Sequence, residues 1–359
     1  MSEVTIVGAG LSGLVAAINL ARDGHRVTVL EREKRIGGMP EFRPDPAGSP
    51  FDLERIKDYS GVDISPAVRV IEEARMWAWG KCFEMPLRST VTMYMVERGS
   101  REKSIDSLLL NEALSAGARV EFGRPVLTQG DYARLPPDTI VATGLKIEPY
   151  EALNIPYTPL YGYFAKGTVE HDRTTVALYI DDFTRDYAFA CTINGVSFAL
   201  LFQRDIPLSR EGRAKFVSLV AEGEGIEFER WNNLLGGACP VGSIHNPRLF
   251  HGNKILAGTL AGVMDPFLFF GMLGALVSGR IAARAIEDKA EALLEFKKAV
   301  RTFYPTFLMK KTWNVLPDLV KRPVVRTGLT ILPAIENLAA ARFARNVPGW
   351  RLLEKGVRS

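Results

Sequence analysis

Along the first thirty-eight residues the spacing of apolar positions changes period twice. Val4 and Ile6 alternate with polar neighbours as a half-buried strand does, Leu11, Leu14, Val15 and Ile18 recur on helical spacing, and Val27, Val29 and Leu30 form a second strand after a helix stop at Gly24. Strand, helix and strand in register predict a βαβ unit. Residues 40–63, rich in Pro, Gly and Asp, read as a loop, and 66–77 as a helix. A strand alternation at 90–96, a helix from Ser104 to Ala116 with Ser104 as its cap, and buried strands at 118–122 and 139–143 return the chain repeatedly to one sheet. From Pro149 to Asn233 the segments 175–180, 187–192 and 196–203 predict an inserted antiparallel sheet, suited to wall a substrate pocket. The first pattern resumes near Gly236 and runs to about Ile286.

One stretch resists this reading on hydropathy alone. Ile255 to Gly279 carries a single charge, Asp265, and is long enough to pass as a spanning helix. Its five glycines and Pro266 predict strand, turn and buried helix instead. The expected fold class is therefore α/β: a discontinuous Rossmann-like dinucleotide-binding domain (1–60, 98–148 and 236–290), an inserted antiparallel β-sheet substrate domain (61–97 and 149–235) and a helical C-terminal region (291–359).

Composition fits two packed substructures in 359 residues, with 47% hydrophobic side chains. Cys82, Cys191 and Cys239 form no CxxC pair and no cluster with the four histidines, which predicts free, buried thiols, a reducing compartment and no metal site. Cys82, flanked by aromatics, reads as an inert buried thiol. The chain opens directly into a strand with no basic and apolar leader, so a cytoplasmic location is expected. The net charge of +4 hides an imbalance: residues 297–359 hold thirteen Lys and Arg against three acids, interleaved with Phe303, Tyr304, Phe307, Trp313, Phe343 and Trp350. Two readings stand level. The tail lies on anionic headgroups, placing the protein peripherally on the inner face of a membrane, or it is a helical cap with a solvated basic face. No nucleic-acid module accompanies the charge, which argues against a nucleic-acid partner.

The chemistry begins at Gly8-Ala9-Gly10-Leu11-Ser12-Gly13. A dinucleotide pyrophosphate needs a tight turn at the first glycine, close backbone approach at the second and tight helix packing at the third, and it sits on unpaired N–H groups at a helix start. Glu31, at the end of the second strand and twenty-one residues after Gly10, can accept hydrogen bonds from both ribose hydroxyls. Three later segments add backbone positions able to approach a ligand: Arg35-Ile36-Gly37-Gly38; Ile140-Val141-Ala142-Thr143-Gly144; and Lys254 to Gly262, leading through Asp265-Pro266 to Ser278-Gly279.

Together these segments resemble the glutathione-reductase-like flavoproteins, and more closely the geranylgeranyl reductase group related to the p-hydroxybenzoate hydroxylase fold. The resemblance covers most of residues 3–290. It implies an extended FAD with adenosine at Glu31 and Arg32, pyrophosphate at Gly8 to Gly13, and backbone approach at Gly37, Gly38, Thr143 and Gly144. Ribityl chain and flavin would point toward Gly258 to Gly271, and Arg98 and Val126 occupy places where the group contacts its cofactor. Two departures stand out: Thr259 replaces the group's ribityl-binding aspartate, and Phe269 and Phe270 stand where it has glycines in the turn beside the flavin. Thr259 implies weaker FAD retention. The two rings either narrow the approach to the flavin, stack on an apolar substrate, or serve as core in an altered turn; Tyr187 is either a pocket wall or an ordinary strand aromatic. No catalytic acid is apparent.

The resemblance implies an FAD-dependent oxidoreductase reducing carbon–carbon double bonds of a hydrophobic isoprenoid or quinone-type lipid at a membrane surface. With no second GxGxxG downstream, the reductant would be a transiently bound NAD(P)H or an electron-transfer protein. The alternatives are a flavin monooxygenase acting on an aromatic, and a redox-silent member binding lipid or a partner.

Overall fold

The computed structural model describes residues 1–39 and 41–354; Pro40, the first residue of the expected loop, and 355–359, the end of the basic tail, lie outside the described residues. The βαβ unit forms as its spacing dictates: β1 (Glu3–Val7), α1 (Leu11–Arg22) and β2 (Arg26–Glu31), with β1 and β2 paired in parallel from Glu3↔Arg26 to Val7↔Leu30. Burial of Leu14, Val15, Ile18 and Leu20 along α1 fixes the helix on the sheet. Gly24, with φ at +85°, turns the chain back into β2.

The central sheet runs in the order 250–251, 254–256, 140–141, β1, β2, 119–122. All of its neighbours pair in parallel except the two-residue hairpin strand 250–251. The late strand Lys254–Leu256 thus lies beside Ile140–Val141, one strand from β1. The loops after β1, 140–141 and 254–256 leave one edge of one sheet, where a doubly wound fold places its ligands. Helix 272–287 follows, and α1 packs directly against it.

A second sheet of seven strands runs in the order 231–239, 158–168, 196–204, 188–193, 175–180, 73–78, 81–84. It is antiparallel as expected except that 73–78 pairs in parallel with 175–180. Three more strands, 45–50, 93–98 and 68–70, form a small sheet between the two.

Three local expectations fail. Residues 66–77 are strands, Val68–Val70 and Glu73–Ala78, rather than a helix. The buried Val68 and Ile71 satisfy a helical spacing equally well, but pairing with Tyr94–Val96 and with Thr175–Ile180 decides the outcome. The loop at 40–63 contains a strand, Asp45–Pro50, and a helix, Leu53–Ser60, capped by Asp52 and ended by Gly61 at φ +73°. Cys82 is exposed, not buried, because it lies on the terminal strand 81–84 of the second sheet; Cys191 and Cys239 are buried and all three are free. The C-terminal region is helical, with helices at 289–299, 303–315, 318–331, 336–346 and 350–353. It closes on the first domain where Gly349 sits against Val277 and buries Trp350 and Leu353. No described helix is long and apolar enough to cross a membrane.

Candidate functional site

The turn after β1 is built by backbone contact. A Cβ on Gly13 would stand 2.0 Å from the carbonyl oxygen of Gly8, and one on Gly8 would stand 2.6 Å from that of Ala142. Gly10 differs, for the nearest atom to its absent Cβ is the Ala142 oxygen at 3.8 Å. The approach to the start of α1 is open on that side. Gly10 caps α1 with no side-chain hydrogen bond, no acid stands in the first turn, and Leu11, Ser12 and Gly13 are buried there. A buried helix start with no cap presents N–H groups and the positive end of the helix dipole to an anion.

Glu31 is already aimed. The N–H of Ala9 donates to its Oε2 at 2.8 Å and the N–H of Glu33 to its Oε1 at 2.9 Å, leaving lone pairs on both oxygens. Arg32 turns aside to pair with Glu148 at 3.0 Å and Glu33 at 3.2 Å.

The late segment reaches the same place. A Cβ on Gly258 would fall 2.6 Å from Ser12 Oγ, and one on Gly279 would fall 2.5 Å from the Ser12 carbonyl oxygen. The Gly258 N–H donates to Ser278 Oγ at 2.9 Å. Ser278-Gly279 therefore lets helix 272–287 pack against the start of α1 and holds the 258–261 turn beside it. Thr259 faces Gly144 and Gly271, and the buried Tyr150 hydroxyl reaches the carbonyls of Gly144 at 3.4 Å and Thr259 at 3.3 Å. The Thr143 hydroxyl is buried among these turns without a protein partner. A buried hydroxyl of this kind can be satisfied by a water or by a polar ligand atom.

Arg98 closes the site from the small sheet. Its Nε and Nη2 donate to Asp106 at 2.8 and 2.9 Å, while Nη1 lies 3.8 Å from Met272 Sδ at the start of helix 272–287. Burial pushes the Asp106 carboxyl up, but Arg98, Arg43 and the Gly99 N–H together outweigh it and hold the group below the usual carboxylate range. Gly37 packs against Gly99, and a shallow cavity beside Gly38 is lined by Arg35, Arg43 and Arg101. Burial, with Arg98 nearby, lowers Arg43 to about 9. Val126 lies beyond strand 119–122 and packs on the core.

The turn 265–271 separates the three aromatic candidates. The Tyr187 hydroxyl donates to the Leu268 carbonyl at 2.8 Å, and its ring meets Phe202, which in turn meets Phe269. Phe269 adopts φ +62°, a left-handed conformation that favours glycine. The Arg204 guanidinium lies 4.3 Å from its ring centre. Phe270 points elsewhere and packs edge-on to Phe343 of the 336–346 helix.

A buried ion cluster behind Phe269 has no sequence signature. Arg204 pairs with Asp186 through Nη2 at 2.6 Å and donates to the Pro266 carbonyl at 3.1 Å, and Lys310 reaches Asp186 at 2.9 Å. Burial alone would raise Asp186, but Arg204 and Lys310 outweigh it and the carboxyl is held down. Tyr150 and Asp106 were likewise not legible as site residues; only the Ser104 cap, which starts the helix at Ile105, hinted that Asp106 stands in a first turn.

Residues 6–54 match the NAD(P)-binding Rossmann-like domain family. Among curated proteins, the flavin-containing monooxygenase FMO GS-OX2 of Arabidopsis thaliana is 49% identical over 52 residues, 14% of this chain and 11% of that protein. The match spans about a tenth of the relative's length. Among solved structures, a geranylgeranyl bacteriochlorophyll reductase-like protein from Thermoplasma acidophilum superposes with a TM-score of 0.67 at 16% identity, covering 90% of this chain and 91% of that one. The p-nitrophenol 4-monooxygenase PnpA from Pseudomonas putida gives 0.62 at 14% identity, covering 97% and 99%. CtdE in complex with FAD gives 0.56 at 15% identity, covering 95% and 99%. The chain has the fold of these three structures, with an N-terminal Rossmann-like region, a mixed-sheet domain and C-terminal helices.

Proposed function

We propose that the protein is an FAD-dependent oxidoreductase acting on a hydrophobic or aromatic substrate. The observation that carries this is the meeting of residues 8–13, 143–144, 258–259 and 271 along one sheet edge, around an uncapped helix start and an unpartnered Thr143 hydroxyl. That arrangement fits an extended dinucleotide. Gly8 to Gly13 would hold the pyrophosphate, Glu31 the adenosine ribose, and Thr143, Gly144, Gly258, Thr259 and Gly271 would line the path toward the ring. FAD, when bound, supplies hydride and oxygen chemistry; the chain binds, orients and shields it.

Between the two reactions, oxygenation of an aromatic is favoured by the relatives whose names describe monooxygenases. Reduction of a double bond rests on the reductase-like structure from Thermoplasma acidophilum. In either case the cluster of Tyr187, Phe202 and Phe269 would supply an apolar wall at the 265–271 turn, and the reductant would be NAD(P)H or an electron-transfer protein. The test is a purified, FAD-reconstituted protein supplied with NADPH under air and under argon. Oxygen-dependent NADPH consumption stimulated by phenolic compounds supports the monooxygenase reading. Stimulation by a polyprenyl compound under argon supports the reductase, and a protein that takes up no FAD refutes both.

A further inference from the structure

Helix 318–331 turns an apolar side outward. No residue of it is buried, and it exposes large apolar side chains: Leu319 at 86% and Val324 at 57%, with Val320 and Ile331 also exposed. These positions recur as i, i+1, i+5 and i+12, one side of a helix, with uncharged Pro323, Thr327 and Thr330 between them. Two of its three cations turn the other way, while Arg322 stays exposed beside Asp182. Arg326 donates to the carbonyls of Ala78 and Trp79, and Lys321 sits half-buried over the Trp313 ring near Asp318. An ordinary surface helix does the reverse, since exposing Leu and Val while turning Lys and Arg to the protein forfeits burial. Val315 before the helix, 80% exposed, and Leu338 after it are exposed apolar side chains as well.

We infer that this face is a docking surface for an anionic lipid bilayer. The exposed charge of the C-terminal region selects that occupant. Lys297, Lys298, Arg301, Lys311, Arg322 and Arg342 are exposed, whereas Asp318, Glu336 and Glu354 are half-buried, so the exposed charge of the described tail is cationic. A second copy docking face to face would set this positive region against itself. Anionic headgroups are attracted to it while the strip enters the acyl boundary. At fourteen residues the helix is about 21 Å long and lies in the interface rather than spanning it. The same C-terminal helices hold the site: Trp313 packs edge-on to Phe267, and Lys310 inserts toward Asp186. A bilayer-docked helix would thereby fix the 265–271 turn near the membrane. The inference stands apart from the flavin reading.

The experiment is co-sedimentation of the full-length protein with phosphatidylcholine vesicles, with and without phosphatidylglycerol. Wild type binds the anionic vesicles, and added salt weakens the binding. Leu319→Glu/Val324→Glu and Leu319→Ser/Val324→Ser both bind roughly tenfold more weakly or worse. Both keep the wild-type circular dichroism, since neither side chain is buried. Absence of wild-type binding, equal binding by the variants, or a vesicle-independent dimer that the substitutions dissociate would each overturn the proposal.

Discussion

Gly10→Ala separates a glycine kept for a ligand from glycines kept for the fold. Gly10 has φ −80° and ψ −179°, open to alanine, and the new methyl would meet nothing nearer than the Ala142 oxygen at 3.8 Å. Alanine caps a helix less well than glycine, by about 1 kcal/mol, and the stiffer unfolded chain returns about 0.4–1 kcal/mol, so stability should change by no more than about 1 kcal/mol. Gly13→Ala is the control, because its methyl would stand 2.0 Å from the Gly8 oxygen and must move backbone, at about 1–3 kcal/mol or more. At Gly10 the methyl instead occupies space at the uncapped helix start. Losing one hydrogen bond to a charged phosphate costs about 1.5–3 kcal/mol, a weakening of roughly 10- to 100-fold in FAD affinity. Titration by quenching of FAD fluorescence measures the affinity, and thermal denaturation of the apoprotein measures the fold. Wild-type FAD affinity in Gly10→Ala, or unfolding as severe as in Gly13→Ala, would refute the reasoning.

Asp186→Asn leaves buried Arg204 and Lys310 without their carboxylate and should cost about 3–5 kcal/mol by chemical denaturation. Because the folded carboxyl is held below its unfolded range, Asp186 contributes fully above about pH 3.9 and loses that contribution as pH falls through the lower folded value; the variant should show a flatter acid limb of Tm against pH. Phe269→Gly should destabilise less than Phe269→Ala, by about 1–2 kcal/mol, since both lose the ring but only glycine relieves the left-handed backbone; the opposite order in urea titrations would contradict the strain. Thr259→Asp should tighten FAD about fivefold, the difference between a neutral and a charged hydrogen bond, and unchanged or weaker binding in the same fluorescence titration would remove Thr259 from the cofactor path.

The parts of this architecture written in the sequence are those whose cause is local. Strand–helix–strand spacing and three glycines specify the β1–α1–β2 unit. The late segment is legible too, because Gly258, Ser278 and Gly279 are each demanded by contact with Ser12 or with one another. Residues 66–77 misled because Val68 and Ile71 satisfy two periods and only distant strands choose between them. The helix at 53–60 was readable in principle, since Asp52 and Gly61 are ordinary cap residues inside a stretch that composition alone marked as loop. That Phe269 stands where the resembled group has glycine is visible in the sequence, but its left-handed backbone and its Arg204 partner are not. Nothing near Asp186, Arg204 or Lys310 in sequence announces that they meet, nor that Tyr150 spans two turns. The basic, aromatic tail was equally legible as cap or lipid surface. Which way helix 318–331 turns its apolar side is a property of the fold alone.

Equilibrium titration of the purified apoprotein with FAD, followed by its visible absorption and by the ratio of bound flavin to chain, bears most directly on the central claim. One FAD per chain, with a perturbed flavin spectrum and an affinity that falls in Gly10→Ala, is the expected outcome. A well-folded protein that stays colourless and retains no FAD after saturation and gel filtration would contradict it.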